Sequence, residues 1–204
     1  MSEQSSMHSY LNWAKQRIDE MDATLASLEA KAGQVQADSK VKANQLIADL
    51  KKQRDEFQTN VKKQAEATEA AWESKKAQLD SQWKAFETQV KTYIDTVAKQ
   101  APQQQALFRD VAAAQVKAWR EAADTVQAVA TKFAAGRRAD VDAAVTKMKA
   151  DAAEAEARLQ KLKQAGNESW AGLSAALAES RKAFDRANQA AWDAVKRAGP
   201  PSAA

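Results

Sequence analysis

The sequence of 204 residues contains no cysteine, three prolines, five glycines and one histidine, and aromatic residues make up only 6% of it. Each scarcity excludes something. Without cysteine there are no disulfides, thiolate nucleophiles or thiolate metal sites, which is compatible with a reducing compartment. With so little proline and glycine, the chain has few of the residues that stop helices or make tight turns. Val, Ile and Thr never gather into an alternating run bounded by turn residues, so strands have little to form from. A block of one charge sign is also missing. The 31 Lys and Arg are interleaved with 27 Asp and Glu, for a net charge of +4, whereas nucleic-acid binders concentrate positive charge on one face or tail. No run of about 18 apolar residues occurs, and the opening MSEQSSMHSYLNWAKQ lacks a charged leader before an apolar core. A soluble, cytoplasmic chain is expected.

What remains is dominated by Ala, Lys, Gln, Glu and Leu, the residues of long helices. Pro102, in KQAPQQQ, drives the residue before it out of the helical region and suits the first turn of a following helix. One helix should therefore stop near Lys99 and another start at once. The expected organisation is a disordered N-terminus (1–5), a first helical arm (6–99), a second (102–198) and a disordered tail (199–204) opening on Gly199. So short a connection favours antiparallel neighbours. Gly33 is a candidate bend in the first arm. Gly166, followed by Asn167 and Glu168, reads as a helix cap, a new N-cap and an acidic first turn, and so as a break in the second arm. Gly136 and Gly172 have no such neighbours and are read either as tolerated within the helix or as marking bends. The expected fold is all-α: an elongated antiparallel helical hairpin or coiled coil, with fold-back into a helical bundle near Gly33 and Gly166 as its compact form.

The first arm repeats itself every eleven residues. LIADLKKQRDE (46–56) superimposes on FQTNVKKQAEA (57–67), and one column reads Val35, Leu46, Phe57, Thr68, Leu79, Val90. The column four residues on reads Ser39, Leu50, Val61, Trp72, Trp83, Ile94, and a third ends with Phe86 and Val97. Eleven residues are three turns of a nearly straight helix, so the columns form one narrow apolar stripe. The second arm answers with Leu162, Leu173, Phe184 and Val195, again eleven apart. The expected packing or interaction seam comprises Leu46, Leu50, Phe57, Val61, Trp72, Leu79, Trp83, Phe86 and Val90 of the first arm. From the second it takes Trp119, Phe133, Leu162, Trp170, Leu173, Phe184 and Trp192. Reflection about Pro102 sets Trp83 opposite the Trp119 region and Trp13 opposite the Trp192 region.

The stretches WAKQRIDEMDATLASLEAKAGQVQADSKV (13–41), QLIADLKKQRDEFQ (45–58) and EAAWESKKAQLDSQWKAFE (69–87) carry a further likeness. They resemble the small bacterial stress-response coiled-coil proteins, which are Lys-, Ala- and Glu-rich and punctuated by Trp and Phe. Two short phrases return later, AAWE as AAWD ending at Asp193 and KAFE as KAFD ending at Asp185. The likeness covers about half the chain; residues 100–165 have no counterpart in it. It implies a soluble, stress-associated helical protein and no catalytic residue.

The candidate sites all read as ordinary surface. His8 sits in a polar terminus, and with no second histidine or cysteine a transition-metal site is not expected. Asp151, Glu154 and Glu156 read as a solvated helix face with Glu154 paired to Arg158. Lys132, Arg137 and Arg138 are followed at once by Asp140 and Asp142, so nucleic acid is not the expected partner. No phosphate loop, dinucleotide fingerprint or nucleophile elbow occurs. The expected function is that of a non-enzymatic structural or interaction protein with no cofactor, acting through protein partners or self-association as a homodimer. The alternative is an amphipathic coat on membranes or hydrophobic storage granules, by analogy with apolipoproteins and phasins, since Trp, Phe and Leu bordered by Lys suit an anionic interface.

Overall fold

The computed structural model describes residues 3–65, 72–133, 135–165 and 170–198; side chains at 3–9, 64–65, 72–74, 101, 137, 162–165, 170–171 and 173–174 lie outside that description. The described residues form helices α1 (Glu3–Ala32), α2 (Ala37–Ala65), α3 (Trp72–Val97), α4 (Ala101–Ala130), α5 (Ala135–Ala165) and α6 (Trp170–Ala198), and no strand. The protein is all-α, as the composition requires. Helix α1 begins inside the stretch 1–5 expected to be disordered, because extending an existing helix gains a hydrogen bond for each residue fixed. The tail 199–204 and the break at Gly166 fall outside the described residues.

The expected arms are each interrupted. After Ala32, Gly33 enters a turn closed by Gln34 N–H to Lys31 O (2.9 Å) and Val35 N–H to Ala32 O (3.3 Å). Ion pairs of Lys51 with Glu29 (2.5 Å) and of Arg54 with Asp22 match rising numbers on α2 to falling numbers on α1. The chain therefore reverses here rather than bending. At Pro102 the expectation holds: α3 ends at Val97, α4 starts at Ala101, and the N–H groups of Gln103 and Gln104 reach Gln100 O at 3.0 and 3.1 Å. A third interruption lies within the expected second arm, between Ala130 and Ala135 and just before Gly136, which the sequence leaves open to either a bend or unbroken helix. Lys149 pairs with Asp124 (2.9 Å) and Glu156 with Arg120, so α5 runs back along α4. That reversal buries Val141, Val145 and Met148 of α5, which a straight continuation would leave in water at about 25 cal/mol per Å².

Neither Gly33, in its turn, nor Gly136, in the first turn of α5, is demanded by backbone conformation. Gly33 and Gly136 lack a positive φ, and a Cβ at either would meet no atom within 4 Å. Gly33→Ala and Gly136→Ala are expected to stabilise the chain by about 0.4–1 kcal/mol each by restricting the unfolded state. A rise in the urea midpoint at unchanged slope would register it.

The chain divides into two compact units, Met1–Met7 with Arg17–Gln115, and His8–Gln16 with Val116–Ala204. Helices α1 and α4 each contribute to both. In the first unit, Met21, Leu25 and Leu28 of α1 and Leu46, Leu50 and Phe57 of α2 are buried, as are Leu79, Trp83, Phe86 and Ile94 of α3 and Phe108 and Val111 of α4. In the second unit the core is alanine-rich, with Ala152 and Ala155 of α5 and Ala187, Ala191 and Ala194 of α6 buried. The closest helix packing is between α2 and α3 and between α5 and α6. Each pair comes from within one expected arm instead of across Pro102. Local partners close the shorter loops, and small side chains let helix axes approach.

The spacing of buried positions also differs from the eleven-residue expectation in the second unit. Val141, Val145, Met148, Ala152, Ala155 and Leu159 alternate steps of four and three, as do Val116, Trp119, Ala123, Val126 and Ala130, while Leu177, Phe184, Ala191 and Ala198 step by seven. These are heptad stripes, suited to helices crossing at about 20°. Val195, a member of the expected column, is half-buried, while Ala194 beside it is buried.

Candidate functional site

The expected seam residues Leu46, Leu50, Phe57, Leu79, Trp83, Phe86 and Val90 lie in the core of the first unit, and Trp119, Phe133 and Phe184 in that of the second. Val61 and Trp192 are half-buried. Trp72, Leu162, Trp170 and Leu173 have side chains outside the described residues. The structure thus distributes the seam over two cores. Within the first, α2 and α3 run antiparallel: Asn60 Nδ2 donates to Gln82 Oε1 (3.1 Å) and Lys99 Nζ to Asp38 Oδ2 (2.5 Å). The eleven-residue columns therefore continue across a chain reversal and do not form one helix face. That hydrogen bond from Lys99 holds the exposed Asp38 carboxyl below its ordinary range.

Aromatic rings organise each core. Trp83 stacks on Phe86 with centroids 6.0 Å apart, and Trp119 on Phe184 at 5.2 Å and 15° between planes. Tyr10 stacks on Trp13 at 4.7 Å. Such contacts add about 0.5–1.5 kcal/mol to the apolar area they bury.

Sequence reasoning missed a buried polar layer. Arg17 is 1% exposed and Glu20 fully buried, with Arg17 Nη2 3.2 Å from Glu20 Oε1. The Arg17 guanidinium also lies 5.1 Å from the Trp83 ring centroid, over its face, where the ring quadrupole attracts the cation. One turn further along α1, buried Thr24 accepts a hydrogen bond from Gln115 Nε2 of α4 (3.0 Å). The second unit buries Asp151, Ser180, Arg181 and Asn188. Asp151, expected on a solvated face, accepts instead from Lys147 at the edge of the core. The signal for the first layer was in the register: Ala14, Met21 and Leu28 step by seven along α1, and Arg17 and Thr24 fill the companion column.

Another core polar group is isolated. Tyr93 of α3 is fully buried, and its hydroxyl has no hydrogen-bond partner among the described residues. Burial pushes this hydroxyl above its ordinary value. The folded chain then keeps the proton at a pH where the unfolded chain has lost it, so stability falls as pH rises past about 10. Tyr93→Phe is expected to flatten this alkaline decline, as measured by denaturant unfolding at stepped pH; an identical decline in the variant would assign it to other groups.

Among the described residues, no group of three or more His, Cys, Asp or Glu could hold a metal ion, and no helix is long and apolar enough to cross a membrane. No family model, curated protein or solved structure matches the chain.

Proposed function

We propose that this chain is a non-enzymatic, stress-associated helical protein of the cytoplasm that works as a structural or interaction module, through protein partners or as a homodimer. The observation that carries this reading is where the apolar stripes go. Among the described residues most large apolar side chains are taken up by packing among the chain's own helices, and Val41, at 82%, is the one exposed large hydrophobic. The helix exteriors carry ion pairs such as Lys91 with Asp95, Lys117 with Glu121 and Arg158 with Glu154. Charges of both signs on the helix exteriors steer encounter with a complementary partner surface. The Arg17–Glu20 pair adds little net stability and serves to select which helices meet and in what register.

An amphipathic coat on lipid or granules would require the bundles to open and turn Phe57, Trp83 and Phe86 outward. Mixing the protein with anionic phosphatidylserine vesicles tests this. The expected result is unchanged tryptophan emission and helicity with no co-flotation, together with a defined mass by light scattering. Co-flotation with a shifted emission would replace the proposal with the coat.

A further inference from the structure

The connections between helices differ in what keeps the chain from running straight on. Pro102 blocks a continuous helix from α3 into α4. The turn between α4 and α5 carries Phe133, which is buried, so straightening it would pull an aromatic ring out of the core. The turn between α1 and α2 has neither restraint. Gly33, Gln34 and Gln36 are exposed there and Val35 is half-buried. The turn contains no proline, and Gly33 lacks a positive φ. Gln34 and Val35 already donate to the carbonyls three residues back, at 2.9 and 3.3 Å, one residue short of the α-helical bond.

The buried faces of α1 and α2 also keep one phase across this turn. Arg17 and Leu28 of α1 continue in steps of eleven into Ser39 and Leu50 of α2, and all four are buried. Thr24, Val35, Leu46 and Phe57 form a second such column, buried except at Val35 in the turn itself. Eleven residues are three turns of nearly straight helix, so α1 and α2 joined end to end would present one unbroken core-facing stripe. A simple reversal at Gly33 has no need of this, because a turn lets the helices on either side take any rotation about their axes.

A single chain that straightened here would leave Met21, Leu25 and Leu28 of α1 in water. A second copy in the same state covers them with the surfaces that its own α1 has left. We propose that the α1–α2 turn is a hinge through which two copies of the chain exchange α1, each running α1 into α2 as one helix. The contacts are those of the single chain, now made between chains: Glu29 with Lys51, Asp22 with Arg54 and Thr24 with Gln115. No new interface is required. This exchange rests on the homodimer reading above and gives the dimer its geometry.

The chain has no cysteine, so Asp22→Cys with Arg54→Cys introduces its only two thiols. The ion pair between these positions puts them within reach of a short bismaleimide. The full-length variant is refolded from urea over about a hundredfold range of concentration, since mass action favours exchange at the upper end. Monomer and dimer are separated by size exclusion with light scattering and cross-linked fraction by fraction. A dimer that grows with concentration is expected, and its cross-link should join two chains, giving a band of twice the chain's mass on a denaturing gel.

Ala37→Pro puts proline at the first position of α2, which suits the closed turn and opposes a helix running through it. It should keep wild-type helicity and lower the dimer association constant about a hundredfold or more. Insertion of three glycines after Gln34, where the chain is exposed, relaxes the closed turn and should act in the same direction; it replaces Ala37→Pro if that variant fails to fold. A dimer whose cross-link stays within each chain, or that forms equally well with the altered hinge, overturns the exchange and leaves the homodimer reading standing. Absence of any dimer across the concentration range overturns both.

Discussion

Arg17→Ala is expected to lower the unfolding free energy by about 3–5 kcal/mol, because it leaves the Glu20 carboxylate in the core of the first unit without the guanidinium beside it. The two side chains are 1% and 0% exposed and 3.2 Å apart, so solvent does little to screen either. Loss of the cation from the face of Trp83, 5.1 Å away, removes about another 0.5–2 kcal/mol of attraction. The decisive comparison is with Arg17→Met combined with Glu20→Leu. Replacing both charges with apolar groups of similar volume abolishes the desolvation cost along with the attraction, so the double variant should lie near wild type or above it by about 1–4 kcal/mol. Urea denaturation followed by circular dichroism measures both. A single variant as stable as wild type would show that the pair is solvated in solution. A double variant as unstable as the single would show that the polar groups contribute directly to stability and do not act by selecting register.

In the second unit, Trp119→Ala and Phe184→Ala should each cost about 3–5 kcal/mol, the range for emptying a buried aromatic site. Both residues are fully buried, on α4 and α6 respectively, and their rings stack at 5.2 Å. For a chain of this length each kcal/mol lost lowers the thermal midpoint by about 2–4 °C, so either variant should fall by roughly 10 °C. The double variant should be less damaging than the sum of the singles by about 0.5–1.5 kcal/mol, the energy of the ring contact itself. Trp192→Ala is the internal control. Trp192 has the same standing as Trp119 in the sequence pattern but is only half-buried, so its truncation should cost distinctly less. Equal losses at 119 and 192 would contradict the burial described for α6.

Particular residues show where sequence reading succeeds. Pro102 marks a helix boundary because its ring clashes with preceding helical backbone, and that clash is the same in any tertiary setting. Leu46, Phe57, Leu79 and Trp83 could be assigned to a core because apolar residues at helical spacing gain from burial whatever covers them. Phe133 shows the limit: its burial was legible, yet the turn it occupies was not, since no proline or left-handed glycine announces it. Arg17, Glu20 and Asp151 show another. A charged residue is read as exposed by default, and only the presence of Trp83 or of a facing helix makes its burial tolerable.

The sequence alone therefore determined that the chain is helical, where α3 gives way to α4, and which apolar side chains must leave water, because these follow from interactions within a few turns of backbone. The tertiary structure decided that α2 pairs with α3 and α5 with α6, that heptad stripes prevail in the second unit, and that a buried ion pair and an unpartnered tyrosine lie inside. Those outcomes depend on competition among many amphipathic faces of similar composition. Closeness along the chain and the small size of alanine settle that competition, and neither can be weighed until the helices are placed together.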